Sequence, residues 1–155
     1  MIDDLALART LHVAAVVLWI GGVAFVTTVL MPAIRRRYPP GERLATFHAF
    51  EGRFAAQARL WVLLAGLSGG WMVGRGGMLE RFADLHFWWM HAMLLLWIGF
   101  AAMLFVAEPL VAHRRLADPV TPAAVFDRMQ RMHNAVLVLS LLTVMAAVAG
   151  SHGLI

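Results

Sequence analysis

Four apolar runs, nearly free of charge, constrain this chain more than any other feature; they cover residues 5–31, 54–73, 87–111 and 132–154. A helix crosses the hydrocarbon core of a bilayer in about 20 mostly apolar residues, and each run is near that length. Only helices and closed barrels satisfy their backbone groups in lipid. Barrel strands would alternate in polarity, and these runs do not. The expected fold is therefore all-α: a single membrane domain over residues 1–155, built as a bundle of four transmembrane helices. A composition of 61% hydrophobic and 14% charged residues excludes a disordered chain. The absence of cysteine excludes disulfides, zinc–thiolate sites, iron–sulfur clusters and thiol catalysis. No phosphate-binding loop, dinucleotide fingerprint or zinc-protease motif is present.

The net charge is +4, and all 13 basic residues are arginine. They lie in loops beside apolar runs, which argues for membrane orientation and against a nucleic-acid partner. Arg35, Arg36, Arg37, Arg43 and Arg53 follow the first run; Arg114, Arg115, Arg128 and Arg131 precede the fourth. Between the second and third runs, Arg75 and Arg81 are offset by Glu80 and Asp84. The positive-inside rule puts the first and third loops in the cytoplasm and both termini in the periplasm or outside. The start Met-Ile-Asp-Asp has no basic region, so the first helix is expected to remain uncleaved. Trp71, Trp88 and Trp89 would form an aromatic belt at the outer interface. Pro32 should end the first helix, Gly74, Gly76 and Gly77 should break the chain after the second, and residues 41–53 should form an amphipathic extension of the second.

Ionisable side chains inside a span are functional candidates by default. The chain has seven histidines. Counting 1.5 Å per residue from mid-span, His12 lies about 9 Å and His91 about 12 Å to the outside of centre, nearly level on different helices. Paired imidazoles on separate helices suit the two axial positions of haem b. Gly66, Gly70 and Gly74 recur every four residues and would open a slot for the porphyrin, although such spacing also serves close helix packing. Arg9, one turn before His12, would meet a haem propionate. Trp19, two turns after His12, is a cofactor contact or simply core. His86 and His152 belong to the outer interface.

A second polar cluster is expected near the cytoplasmic side. Arg59 and Glu108 fall within spans and should pair or contact a bound ligand, which makes Arg59 a candidate cofactor-binding residue. His48, Glu51 and Arg59 share a helix face, and Gln130, His133 and Asn134 open the fourth helix. His48, His113 and His133 are the candidate ligands of a second metal site; the same cluster would also serve a quinone headgroup, a proton relay or a plain polar interface. Ten methionines, several beside His91 and His133, keep copper as an alternative metal.

The first helix reads Leu11-His12, then Trp19, Gly21-Gly22, Phe25, Pro32 and Arg35. The second begins Phe50-Glu51-Gly52-Arg53-Phe54 and has a glycine-rich outer half, and residues 126–134 form a polar lead into the fourth. These features resemble the HemJ and copper-resistance-protein-D (CopD) group of small four-helix bacterial membrane proteins. The resemblance implies haem b held by the first-helix histidine, here His12. It also implies oxidation of protoporphyrinogen IX on the HemJ side, or copper movement across the inner membrane on the CopD side. The HemJ pattern has a lysine near the outer end of the third helix; this chain has His91 there and no lysine.

The leading expectation is a haem b membrane protein, with one haem or two, exchanging electrons with a quinone or a periplasmic redox protein. The alternatives are a porphyrinogen oxidase, which would make the chain an oxidoreductase with a porphyrin substrate, and a copper permease. A homodimer is compatible with each.

Overall fold

The computed structural model describes residues 3–107 and 121–154. Every regular element among them is helical. The four long helices are α1 (Asp4–Arg37), α2 (Arg43–Arg75), α3 (Leu85–Ala107) and α4 (Pro122–Ser151). Three of these, α1, α3 and α4, are long and apolar enough to cross a membrane. Helix α2 is as long, but its polar N-terminal half and its glycines dilute it, and it falls outside that set. Leu67, Leu95, Val17 and Val138 project outward from all four helices, an apolar exterior compatible with lipid.

Helix α1 does not stop at Pro32. Proline lacks an N–H and its ring presses on the carbonyl four residues back. The chain absorbs this by widening to a π turn over Val26–Leu30, where the Met31 N–H reaches the Val26 carbonyl, five residues back. Thr27 and Thr28 hydroxyls donate to the Val23 and Ala24 carbonyls within the same turn, each at 2.7 Å. The helix then continues through Met31–Arg37. A similar π turn, Met103–Ala107, closes the described part of α3. Helix α4 begins ten residues before the apolar run, with Pro122 in its first turn.

Glycine ends two helices. Gly77 (φ 64°) follows α2, where the Met78 N–H returns to the Val73 carbonyl at 3.0 Å. Gly153 (φ 70°) follows α4, where the Leu154 N–H returns to the Ala149 carbonyl at 2.9 Å. Both are left-handed caps that recover carbonyls the helix leaves unpaired.

Helices α1 and α2 run antiparallel and pack along most of their length. Asp4, at the start of α1, and Arg75, at the end of α2, meet at 3.1 Å. The core gathers Ala15, Trp19 and Val23 of α1, Ala58, Val62 and Ala65 of α2, Phe100 and Leu104 of α3, and Leu137 of α4. A second cluster, Met31, Ile34, Phe47 and Phe126, packs beyond the π turn, where Arg35 pairs with Asp127 at 2.8 Å.

Flat rings set into glycine notches recur between these helices. A Cβ on Gly66 would lie 2.5 Å from the Trp97 indole, one on Gly150 would lie 2.2 Å from Trp89, and one on Gly22 would lie 2.6 Å from Phe54. Trp89 is therefore not a belt residue: it is 5% exposed against α4, whereas Trp71 and Trp88 are half exposed.

Candidate functional site around His12

His12 faces α2, half-buried. Its Nδ1 lies 2.9 Å from the Ala65 carbonyl and 3.3 Å from the Ser68 hydroxyl. A carbonyl only accepts, so Nδ1 carries the proton of the neutral ring. Nε2 then holds the lone pair, which is the form in which imidazole binds a metal. Ser68 is itself held, donating to the Leu64 carbonyl at 2.5 Å. The ring rests on Gly69, where a Cβ would come within 3.1 Å of Cε1.

The glycine face expected to form a slot behaves differently at each position. Gly66 is filled by the Trp97 indole, whose Nε1 donates to the Val62 carbonyl at 2.8 Å. Gly70 and Gly74 border open space on the exposed side of α2. The glycine against His12 is Gly69, which the four-residue spacing passes over. Arg9 is exposed one turn before His12.

His91 has other partners. Its Nε2 lies 3.0 Å from the Phe82 carbonyl and its Nδ1 3.3 Å from the Phe87 carbonyl, with the Phe82 ring edge-on at 5.3 Å. A neutral imidazole donates to one carbonyl only, and the shorter contact favours Nε2. His91 thus anchors the short 3-10 segments between α2 and α3 instead of facing His12. It also sits further out: Trp97 marks the level of Gly66, and His91 precedes Trp97 by six residues, about 9 Å. His12 marks the level of Gly69, about 4.5 Å from Gly66 by the same rise. The two histidines differ by roughly one helical turn. Mid-span counting gives the same order with a separation of about 3 Å.

The second polar cluster assembles around Phe47. The His48 and His133 rings each stand 6.0 Å from it. His48 Nδ1 pairs with Glu51, and His133 Nδ1 donates to the Met129 carbonyl at 2.9 Å, leaving Nε2 with its lone pair. His133 borders a small void of about 40 Å³ shared with Trp19, Ala58, Met103 and Met132. Arg59 Nε donates to the Leu104 carbonyl at 3.2 Å. Gln130 Nε2 donates to Thr27 and Asn134, fastening α4 to the π turn of α1. Glu108 and His113 lie outside the described residues. His86 and His152 are exposed.

Among the described residues, no three His, Asp or Glu side chains converge to hold a metal ion. A haem iron asks less of the protein, only one or two axial side chains. His12 meets that requirement as oriented. No family model, no curated protein and no solved structure matches the chain.

Proposed function

We propose that this chain is a haem b protein of the bacterial cytoplasmic membrane that exchanges electrons with a quinone or a periplasmic partner. One observation carries the reading. The Ala65 carbonyl accepts from His12 Nδ1 and leaves Nε2 with its lone pair, as a carbonyl or carboxylate behind a metal-binding histidine does. In this reading His12 would hold the iron and Arg9 would pair with a propionate. His91 becomes the second ligand only by giving up the Phe82 carbonyl, so haem loading and the order of residues 79–87 are coupled. Haem supplies the one-electron couple; the protein supplies the ligand, its orientation and an apolar surround.

The topology belonging to this reading has four spans with both termini outside. Helix α2 qualifies as the fourth despite its lower hydropathy. It runs antiparallel to the spanning helix α1, and the Asp4–Arg75 pair brings their outer ends to one level. The test is a pyridine-haemochrome spectrum of the purified protein. A stoichiometric b-type band that disappears in His12→Ala is the expected result; a haem-free protein, or an unchanged band in His12→Ala, overturns the reading.

A further inference from the structure

A cleft of about 300 Å³ between α1 and α2 is walled by Leu18 and Phe25 on one side and by Phe54 and Trp61 on the other. Leu18 and Phe25 are each about half exposed, so the cleft opens on the apolar exterior of the bundle, which in a bilayer meets acyl chains. Gly22 contributes through its missing side chain, which lets the Phe54 ring lie back against α1. One flank of α2 runs from this cleft to a charge. Arg53, Gln57 and Trp61 follow one another at four-residue spacing and so share a helix face. Gln57 and Trp61 line the cleft, and Arg53 lies one turn beyond it, exposed. Among the described residues Arg53 makes no ion pair; Glu51, two residues away, faces elsewhere and is engaged by His48.

Depth singles out the same residue. Arg53 precedes Arg75 by 22 residues, about 33 Å of helix, against a hydrocarbon core of about 30 Å. The two arginines therefore stand at the two headgroup levels. Arg75 is matched within the protein by Asp4, whereas Arg53 is left for the membrane to match. The arginines that end α1 are too far out to do this: Gly22 stands beside Phe54, and Arg35 follows Gly22 by 13 residues, about 20 Å. We propose that the α1–α2 cleft seats an acyl chain of an anionic phospholipid whose phosphate is held by Arg53. The charge and depth of Arg53 select the phosphate, and the apolar cleft selects the chain. A neutral lipid would use the cleft alone, and a free anion Arg53 alone. In the topology proposed above this is the cytoplasmic leaflet, whose surface is negative. The site does not depend on the haem reading.

The full chain in an uncharged detergent is titrated with phosphatidylglycerol or with phosphatidylcholine of the same chains, and retained lipids are counted by native mass spectrometry. One phosphatidylglycerol should bind saturably, about fivefold tighter than phosphatidylcholine. Arg53→Gln should bring phosphatidylglycerol down to the phosphatidylcholine level, and Arg53→Lys should keep most of the preference. Phe25→Ala, which strips a wall of the cleft at an exposed position, should weaken both lipids. Arg131→Gln is the control. The Phe47 and Phe126 rings meet at 6.4 Å, and Arg53 and Arg131 follow them by six and five residues, so the two arginines stand at nearly one depth. Arg131 belongs to α4, which contributes nothing to the cleft, and its loss should leave binding as in wild type. Equal affinity for the two lipids, or a preference that survives Arg53→Gln, would overturn the proposal. So would phosphatidylglycerol binding that Phe25→Ala leaves unchanged, since no chain would then occupy the cleft. A loss in Arg131→Gln as large as in Arg53→Gln would overturn it too, the lipid then answering only to the overall charge of that end.

Discussion

His12 Nδ1 and the Ala65 carbonyl stand 2.9 Å apart across the α1–α2 interface. The contact joins a ring that can bind metal to a backbone group that no substitution of the side chain removes. The orientation of His12 therefore depends on how closely the two helices approach.

That dependence separates two neighbouring glycines. Gly69→Ala should push the His12 ring, because the new Cβ would meet Cε1 at 3.1 Å. Gly70→Ala meets open space and should be neutral or add up to about 1 kcal/mol from helix propensity. Haem content per protein, measured by pyridine haemochrome, should fall in the first variant and hold in the second. Equal content in both would show that the ligand is not seated on α2.

Ser68→Ala should retain haem. Its hydroxyl donates to the Leu64 carbonyl, so towards His12 it can only accept, and at the longer distance of 3.3 Å. A small shift in midpoint potential with an unchanged low-spin spectrum is the expected outcome of a redox titration.

The α3–α4 contact should be intolerant of a single methyl group. Gly150→Ala would place a carbon 2.2 Å from the Trp89 ring. Overpacking of this kind costs about 1–3 kcal/mol, a loss visible as a lower unfolding temperature in detergent. Gly99→Ala, facing open space, is the matched control.

The Asp4–Arg75 pair should contribute little to stability. Both side chains are largely exposed, and such pairs rarely exceed about 1 kcal/mol. Asp4→Asn should leave the unfolding temperature within error at ordinary salt. A large drop would mean that the outer ends of α1 and α2 are shielded from water.

Fusions of alkaline phosphatase after Gly153 should be active, and fusions of a cytoplasmic reporter there inactive. The opposite pattern would exchange the outer and inner labels of every site described above.

The apolar runs and glycine stops were legible in the sequence because length and hydropathy fix where a helix lies along the bilayer normal. Rotation about the helix axis was not legible. Lipid and protein neighbours are both apolar, so no polar stripe marks the face that packs. Gly66, Gly70 and Gly74 therefore read as one face, although of the three only Gly66 packs against a ring and Gly69 is the one beneath His12. Trp89 read as interfacial for the same reason. Pro32 read as a stop because the compensating π turn is a backbone adjustment that no residue type announces. The clustering of His48 and His133 was anticipated by their common depth, but Phe47, the ring between them, carried no polar signal.

The wide turn at Val26–Leu30 works as a phase shifter. It takes up one residue more than regular α geometry would, so everything beyond it is turned by one residue's share of the circle, about 100°. Arg35 reaches Asp127 of α4 only with that offset. Deleting one residue from the turn would keep the helix and its apolar length while rotating the arginine end away from its partner. The bundle's inner end is thus set by an angular increment stored in the backbone, and a chain with nearly the same composition would close differently.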